Sequence, residues 1–457
     1  MAGSFWKQAG VWTITMGLLM AGWKAMAAPE NALSNYLQRE EPLCKWDLKE
    51  HRSADGMMIY DLWLRSQRWK FTTWTHQLTL VVPGDLKNPN DCLLFVTGGS
   101  NRDGQPRWSK PDDDTLAMIG GVAKGSGSPV AVLRQVPNQP LYGDRVEDDL
   151  ISFTFDQYLR SHDPEWPLLF PMVKSAVKAM DAIQEFAQSE LNLPIQKFVV
   201  SGGSKRGWTT WLTGASDPRV AAIAPMVIDV LNMGSQMAYQ LEAWGRYSEM
   251  INDYTQLGLT NKLQDPSGKE LTDMVDPYAY RDKITMPKLI FIGTNDPYWP
   301  VDAIKNYFDD LVGPKFIHYV PNAGHGLGDG KEAIQALAAY FTDTARGLPY
   351  PRIAWSTVTE KRKVHLTVKG SEGLVDAQLW SASSPDRDLR DDQWSSAALP
   401  IQGRRDPQVT AVVDLPQAGF RAFYVDLIYP SPIDGTYSFS TRMFLADEAG
   451  ILERTLN

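Results

Sequence analysis

The run Phe198-Val199-Val200-Ser201-Gly202-Gly203-Ser204-Lys205-Arg206-Gly207-Trp208 reads as a short apolar strand, a glycine-rich turn and the start of a helix. A serine on such a turn is held above the carboxyl end of a sheet. Small residues flank it because a strand that turns abruptly into a helix leaves no room for side chains. Ser204 is therefore a candidate nucleophile. The usual Gly-x-Ser-x-Gly spacing would put glycine at 206, but Arg206 stands there and Gly207 follows. The close approach then falls to the next helical residue. A glycine-rich turn also serves as a plain connection or a phosphate cradle, so the chemistry has to be read from what else lies at the same sheet edge.

A serine hydroxyl needs a base within reach and a third group to orient that base. In α/β-hydrolases these follow in the order serine, acid, histidine. Lys288–Gly293 reads as a buried strand that ends in Thr294-Asn295-Asp296-Pro297, which puts Asp296 where the acid is expected. The next strand ends in Val320-Pro321-Asn322-Ala323-Gly324-His325-Gly326, and glycines flank His325 in its loop. Asp229, at the end of the strand after the serine turn, and Asp302 are alternative acids. His318 lies inside a strand and reads as structural. The oxyanion donors expected are the backbone N–H of Lys205 and one from Gly98 or Gly99, in the turn after an early strand. The same Thr97–Ser100 segment also fits a plain β–α turn. Lys205 and Arg206 add cationic charge near the serine, or Arg206 pairs with an acid such as Asp217 or Glu147.

These residues need a sheet to hold them. From about 46 to 346, apolar runs such as Cys92–Thr97, Pro129–Val136, Phe198–Ser201, Val220–Ile228, Lys288–Gly293 and Phe316–Val320 alternate with helical stretches. Met57–Trp69 and His76–Val82 open the series as a strand pair. Continuous apolar runs suit strands buried on both faces, and the alternation predicts an α/β fold with a mostly parallel sheet. Helices are predicted over 166–191 and 332–344. The acidic runs Asp112–Asp114 and Glu147–Asp149 read as solvated faces or helix starts. Between about 231 and 282 lies a long insertion with Met233, Met237, Tyr239, Trp244 and Tyr254 at helical spacing. It is expected to cap the active site or simply to pack its own core. After Gly347-Leu348-Pro349 the period changes to two, which predicts an all-β, sandwich-like domain over 350–457 with Trp355 and Trp380 in its core. The hydrolase-type domain is then 28–349.

Met1 to Ala27 has Lys7, an apolar stretch and Ala25-Met26-Ala27, the layout of a cleaved secretory signal peptide. The chain is accordingly expected to be exported, periplasmic or secreted, with no stable membrane span in its mature form. A net charge of −9, with 45 Lys and Arg against 54 Asp and Glu and no basic cluster, argues against nucleic acid as a partner. Cys44 and Cys92 allow one disulfide or two buried thiols. Six scattered histidines without a His-x-x-x-His pair give no local zinc motif.

The segments VSGGSKRGWTTWLTGASDPRVAAIAPMVIDVLN from Val200, EWPLLFPMVKSAVKAMDAI from Glu165, KLIFIGTNDPYWP and PNAGHG resemble the PhoPQ-activated pathogenicity-related proteins. That resemblance covers most of the mature chain. It implies an exported α/β-hydrolase relative linked by regulation to bacterial virulence control, and it implies no substrate. The Gly-x-Ser-Lys-Arg-Gly turn is also similar to the glucuronoyl esterase elbow, which likewise has glycine three residues after the serine. The combined expectation is a serine hydrolase that cleaves an ester or peptide bond in a small molecule or peptide. It would use Ser204, Asp296 and His325 and require neither metal nor organic cofactor. The rival expectations are a non-catalytic binding or signalling protein that keeps the fold, and a uronate esterase.

Overall fold

The computed structural model describes residues 31–110, 113–263 and 265–454. The expected signal peptide, residues 1–27, lies outside them. After a short helix α1 (Ala32–Gln38) come three long antiparallel strands, β1 (Lys45–Ala54), β2 (Met57–Trp69) and β3 (Thr72–Pro83). Next are β4 (Asp91–Val96), a small hairpin of β5 (Asn101–Arg102) and β6 (Gln105–Pro106), α2 (Asp114–Ser126), β7 (Val130–Leu133), α3 (Glu147–Ser161) and α4 (Leu169–Leu191). The chain continues through β8 (Lys197–Gly203), α5 (Lys205–Ser216) and β9 (Val220–Met226). The helical stretch α6 (Met233–Trp244), α7 (Asn252–Thr255), α8 (Leu259–Lys262) and α9 (Pro266–Val275) precedes β10 (Lys288–Gly293), β11 (Lys315–Val320) and α10 (Lys331–Ala345).

The central order is β1-β2-β3-β7-β4-β8-β9-β10-β11. Strands from β7 to β11 run parallel, and β3 joins them antiparallel. This is the mixed α/β sheet that the alternating pattern predicts. β10 is buried at all six positions and β7 at all four, as expected of strands covered on both faces. Two cores result. Residues of α3, α4 and α5 bury one face of the sheet, and those of α2 and α10 bury the other.

Among the described residues after 350 the regular elements are all strands: β12 (Ala354–Glu360), β13 (Lys363–Lys369), β14 (Asp376–Ser384), β15 (Ser395–Ala398), β16 (Gln408–Asp414), β17 (Phe420–Pro430), β18 (Thr436–Ser440) and β19 (Phe444–Ala446). β12, β13 and β16 form a three-stranded sheet whose Val364, Leu366 and Val413 share a core with Phe423, Val425 and Leu427 of β17. The opposing layer is not a sheet of its own. β18 pairs with β11 at Ile317 and Ser440, so β18-β17-β14-β15 prolongs the central sheet. An unpaired β11 edge would offer a row of backbone donors and acceptors to any passing strand, and this addition covers it.

Cys44 and Cys92 are both free thiols. Among the described residues no helix is long and apolar enough to cross a membrane, and no cluster of three His, Cys, Asp or Glu side chains could hold a metal ion.

Candidate active site

β8 sits between β4 and β9, near the middle of the sheet, and delivers Ser204 at its carboxyl end. Ser204 has φ 57° and ψ −128°, a conformation that L-residues rarely adopt and that a strained strand-to-helix turn requires. Its N–H donates to Met226 O at 2.9 Å. A Cβ on Gly202 would lie 2.7 Å from Val96 O, and one on Gly207 would lie 2.8 Å from Met226 O. Gly203 has room to spare, its nearest neighbour being 4.0 Å away. The close approach is therefore made at 207, which frees position 206 for arginine.

Arg206 turns away from the serine. Its Nε donates to Val136 O at 2.5 Å, and its two Nη atoms donate to Glu147 at 2.7 Å each. Lys205 Nζ lies 3.0 Å from both Glu147 and Asp148. Burial pushes the Glu147 carboxyl up. Its bonds to Arg206 and the charges of Arg206 and Lys205 outweigh that and hold it down at about 2. The acidic run at 147–149 is thus the start of α3, and it fixes the first turn of α5. Sequence reasoning offered Glu147 as a partner for Arg206 but gave Asp148 no role.

The other two candidates meet across the next pair of strands. A Cβ on Gly293 would fall 2.4 Å from Ala323 O and Gly324 O, so the loops after β10 and β11 lie directly against each other. Asn295 N–H donates to Ala323 O at 2.9 Å. His325 Nδ1 donates to Asp296 Oδ2 at 2.8 Å, and Tyr298 N–H donates to Asp296 Oδ1 at 2.9 Å. Both carboxylate oxygens are occupied in a group only 8% exposed. The Tyr298 ring stacks on the imidazole at 4.2 Å. Tyr298 went unnoticed in the sequence, although it stands two residues after the acid.

The alternative acids are engaged elsewhere. Asp229, 3% exposed, accepts from the Tyr307 hydroxyl. Burial, and then the charge of Asp296, pushes its carboxyl up to about 7, and the two aspartates share a small polar cavity. Asp302 is locked to Lys305 and the Tyr239 hydroxyl at 2.7 Å each. His318 is buried, accepts from or donates to β18 at Ser438, and burial lowers it to about 4.

Ser204, Lys205 and His325 line one cavity. Asp148, Tyr254 and Tyr298 supply most of its remaining polar groups, and apolar residues of α3, α5, α6 and α9 form the walls. The Lys205 N–H is the first of α5 and has no intrahelical acceptor. Gly98 and Gly99 follow β4, the neighbour of β8, but do not line this cavity. A Cβ on Gly98 would lie 2.6 Å from Arg206 Nη2, and one on Gly99 3.0 Å from Gln135 Nε2. Their small size makes room for those side chains.

The C-terminal strands reach this edge through the segment 386–394. Asn295 Nδ2 donates to Leu389 O, Arg390 O and Asp392 O at 3.1, 3.2 and 2.8 Å. Asn322, in the histidine loop, exchanges two bonds with the backbone of Trp394. Arg387 bonds Glu242 and Tyr239 of α6.

A family model described as PhoPQ-activated pathogenicity-related protein matches residues 33–390. The chain is 32% identical over 461 residues to "Autocrine proliferation repressor protein A" of Dictyostelium discoideum, covering 93% of this chain and 91% of that one. Among solved structures, an acetyl xylan esterase from Paenibacillus sp. R4 is 15% identical with a TM-score of 0.49 and covers 68% of this chain and 92% of its own. A glucuronoyl esterase from Solibacter usitatus is 11% identical with a TM-score of 0.42 and covers 69% and 91%.

Proposed function

The chain belongs to the PhoPQ-activated pathogenicity-related protein family, and from that premise we propose that it is an exported serine hydrolase of the α/β-hydrolase type, acting on an ester or peptide bond. The observation that carries this reading is the strained Ser204 in the wall of the cavity that also receives His325, whose Nδ1 is bonded to Asp296. Ser204 Oγ attacks the carbonyl carbon while His325 Nε2 takes its proton. The tetrahedral oxyanion is held by the Lys205 N–H, a donor worth about 3 kcal/mol of barrier. Collapse breaks the bond to the leaving alcohol or amine, which takes the proton from His325. Water then repeats the cycle on the acyl-serine, and an acid leaves. Asp296 holds the imidazole in the tautomer this requires.

The helices of 231–282 act in this reading as a cap. Residues 1–27 act as the export signal. A uronate esterase calls for a free cation beside the nucleophile, yet Lys205 and Arg206 are both committed to Glu147 and Asp148, which weighs against that alternative.

The test is a panel of activated esters and peptide anilides given to the purified chain and to Ser204→Ala. Turnover that disappears in the variant supports the reading. Equal turnover by both proteins contradicts it.

A further inference from the structure

The cavity at Ser204 also says something about what is cleaved. Its walls carry Phe155, Trp208, Met233, Met237, Ile251 and Leu271. They belong to two groups of elements, α3 and α5 on one side and the 233–275 stretch on the other, so the space runs between α5 and the insertion. The charged lining groups neutralise one another. Lys205 lies 3.0 Å from Glu147 and from Asp148, Asp148 accepts from Tyr254 at 3.0 Å, and His325 is bonded to Asp296. A charged substrate group entering here would lose water and find no free partner, which is costly. An apolar chain would lose nothing, and the thioethers of Met233 and Met237 adapt to its shape.

We infer that this cavity receives the acyl part of the substrate and that this part is an uncharged apolar chain. The inference rests on the serine hydrolase reading and narrows it to substrate class. No charged acyl group fits the same lining.

Two measurements test it. In the first, p-nitrophenyl esters from acetyl to decanoyl are compared by kcat/KM. Burying one methylene is worth about fourfold at ~0.8 kcal/mol, so the rate should climb by up to about that factor per carbon to at least hexanoyl. Met237→Trp should lower the hexanoyl-to-acetyl ratio by about tenfold or more by filling the space. A series that is flat or best at acetyl, in a chain whose Ser204 turns over, overturns the inference and leaves the hydrolase reading standing. In the second, Ser204→Ala protein is titrated calorimetrically with primary alcohols from butanol to decanol. Affinity that rises with length supports the chain site without relying on turnover, and Trp208 and Trp299 in the lining offer a fluorescence check. Length-independent or undetectable binding overturns it. Rising affinity in a chain that cleaves none of the esters overturns the hydrolase reading and, with it, the assignment of the chain as substrate.

Discussion

At the scale of single residues, the choice of acid separates the possible mechanisms. Asp296 touches the imidazole, whereas Asp229 is buried and bonded to Tyr307. Asp296→Asn should lower kcat by about 10⁴-fold, the order seen when a triad acid loses its charge. Asp229→Asn should change kcat by less than about threefold, since Asp229 bonds Tyr307 rather than the imidazole and an amide oxygen can accept that same bond. Steady-state kinetics on the two variants checks this, and a reversed order would contradict the assignment. The same aspartate has a stability signature. Its native carboxyl, at about 7, binds its proton more tightly than an unfolded one near 3.9. Its contribution is therefore full below about pH 4 and is lost as pH rises through about 7. Asp276 and Asp426 are raised to about 7 for the same first cause, burial. Thermal unfolding should show stability falling from pH 5 to 8, and Asp229→Asn should make that fall shallower. An unchanged slope would contradict a raised Asp229. Ser204, Asp296 and His325 could be put forward as candidates from the sequence because each follows an apolar strand. Tyr298 and Asp148 could not, because nothing in a linear sequence says that a tyrosine covers a ring or that an aspartate faces a distant lysine.

At the scale of elements, the turn from β8 into α5 is held by sterics on one side and charge on the other. Gly207→Ala would press a methyl into Met226 O and Gly202 O, at 2.8 and 3.0 Å. A loss of about 1–3 kcal/mol is expected, read as a lower urea midpoint with unchanged slope. A neutral result would mean that the close approach is made elsewhere. Buried elements were easy to read from the sequence. β2 and β10 run over the predicted residues, 57–69 and 288–293, because burial on one or both faces writes a strong apolar pattern. β1 was missed. Its sequence KWDLKEHRSA has no buried position, and an exposed edge strand is under no pressure to alternate. For α2 the acidic run at Asp112–Asp114 offered a helix start, but the body of the helix was not predicted, since Gly120, Gly121 and Gly125 lower its helical propensity and tertiary packing supplies the difference.

At the scale of the whole molecule, the C-terminal strands are part of the frame that holds the site. A period-two pattern shows which face of a strand is buried but does not name its neighbour, so the joining of β18 to β11 could not be read in advance. The consequence for activity is the grip of segment 386–394 on both candidate loops. Asn295→Ala removes three bonds adjacent to Asp296 and should lower kcat by roughly tenfold or more, with a smaller change in KM, because displacement by about an ångström is costly. Unchanged kcat would show that the loop holds itself. That a hydroxyl, an imidazole and a carboxylate from three stretches of chain work as one unit can be tested by labelling with a fluorophosphonate probe and locating the adduct by mass spectrometry. The expected result is one adduct, on Ser204, with labelling abolished in Ser204→Ala and slowed at least about a thousandfold in His325→Ala. Equal labelling of all three proteins, or an adduct on another residue, would contradict it.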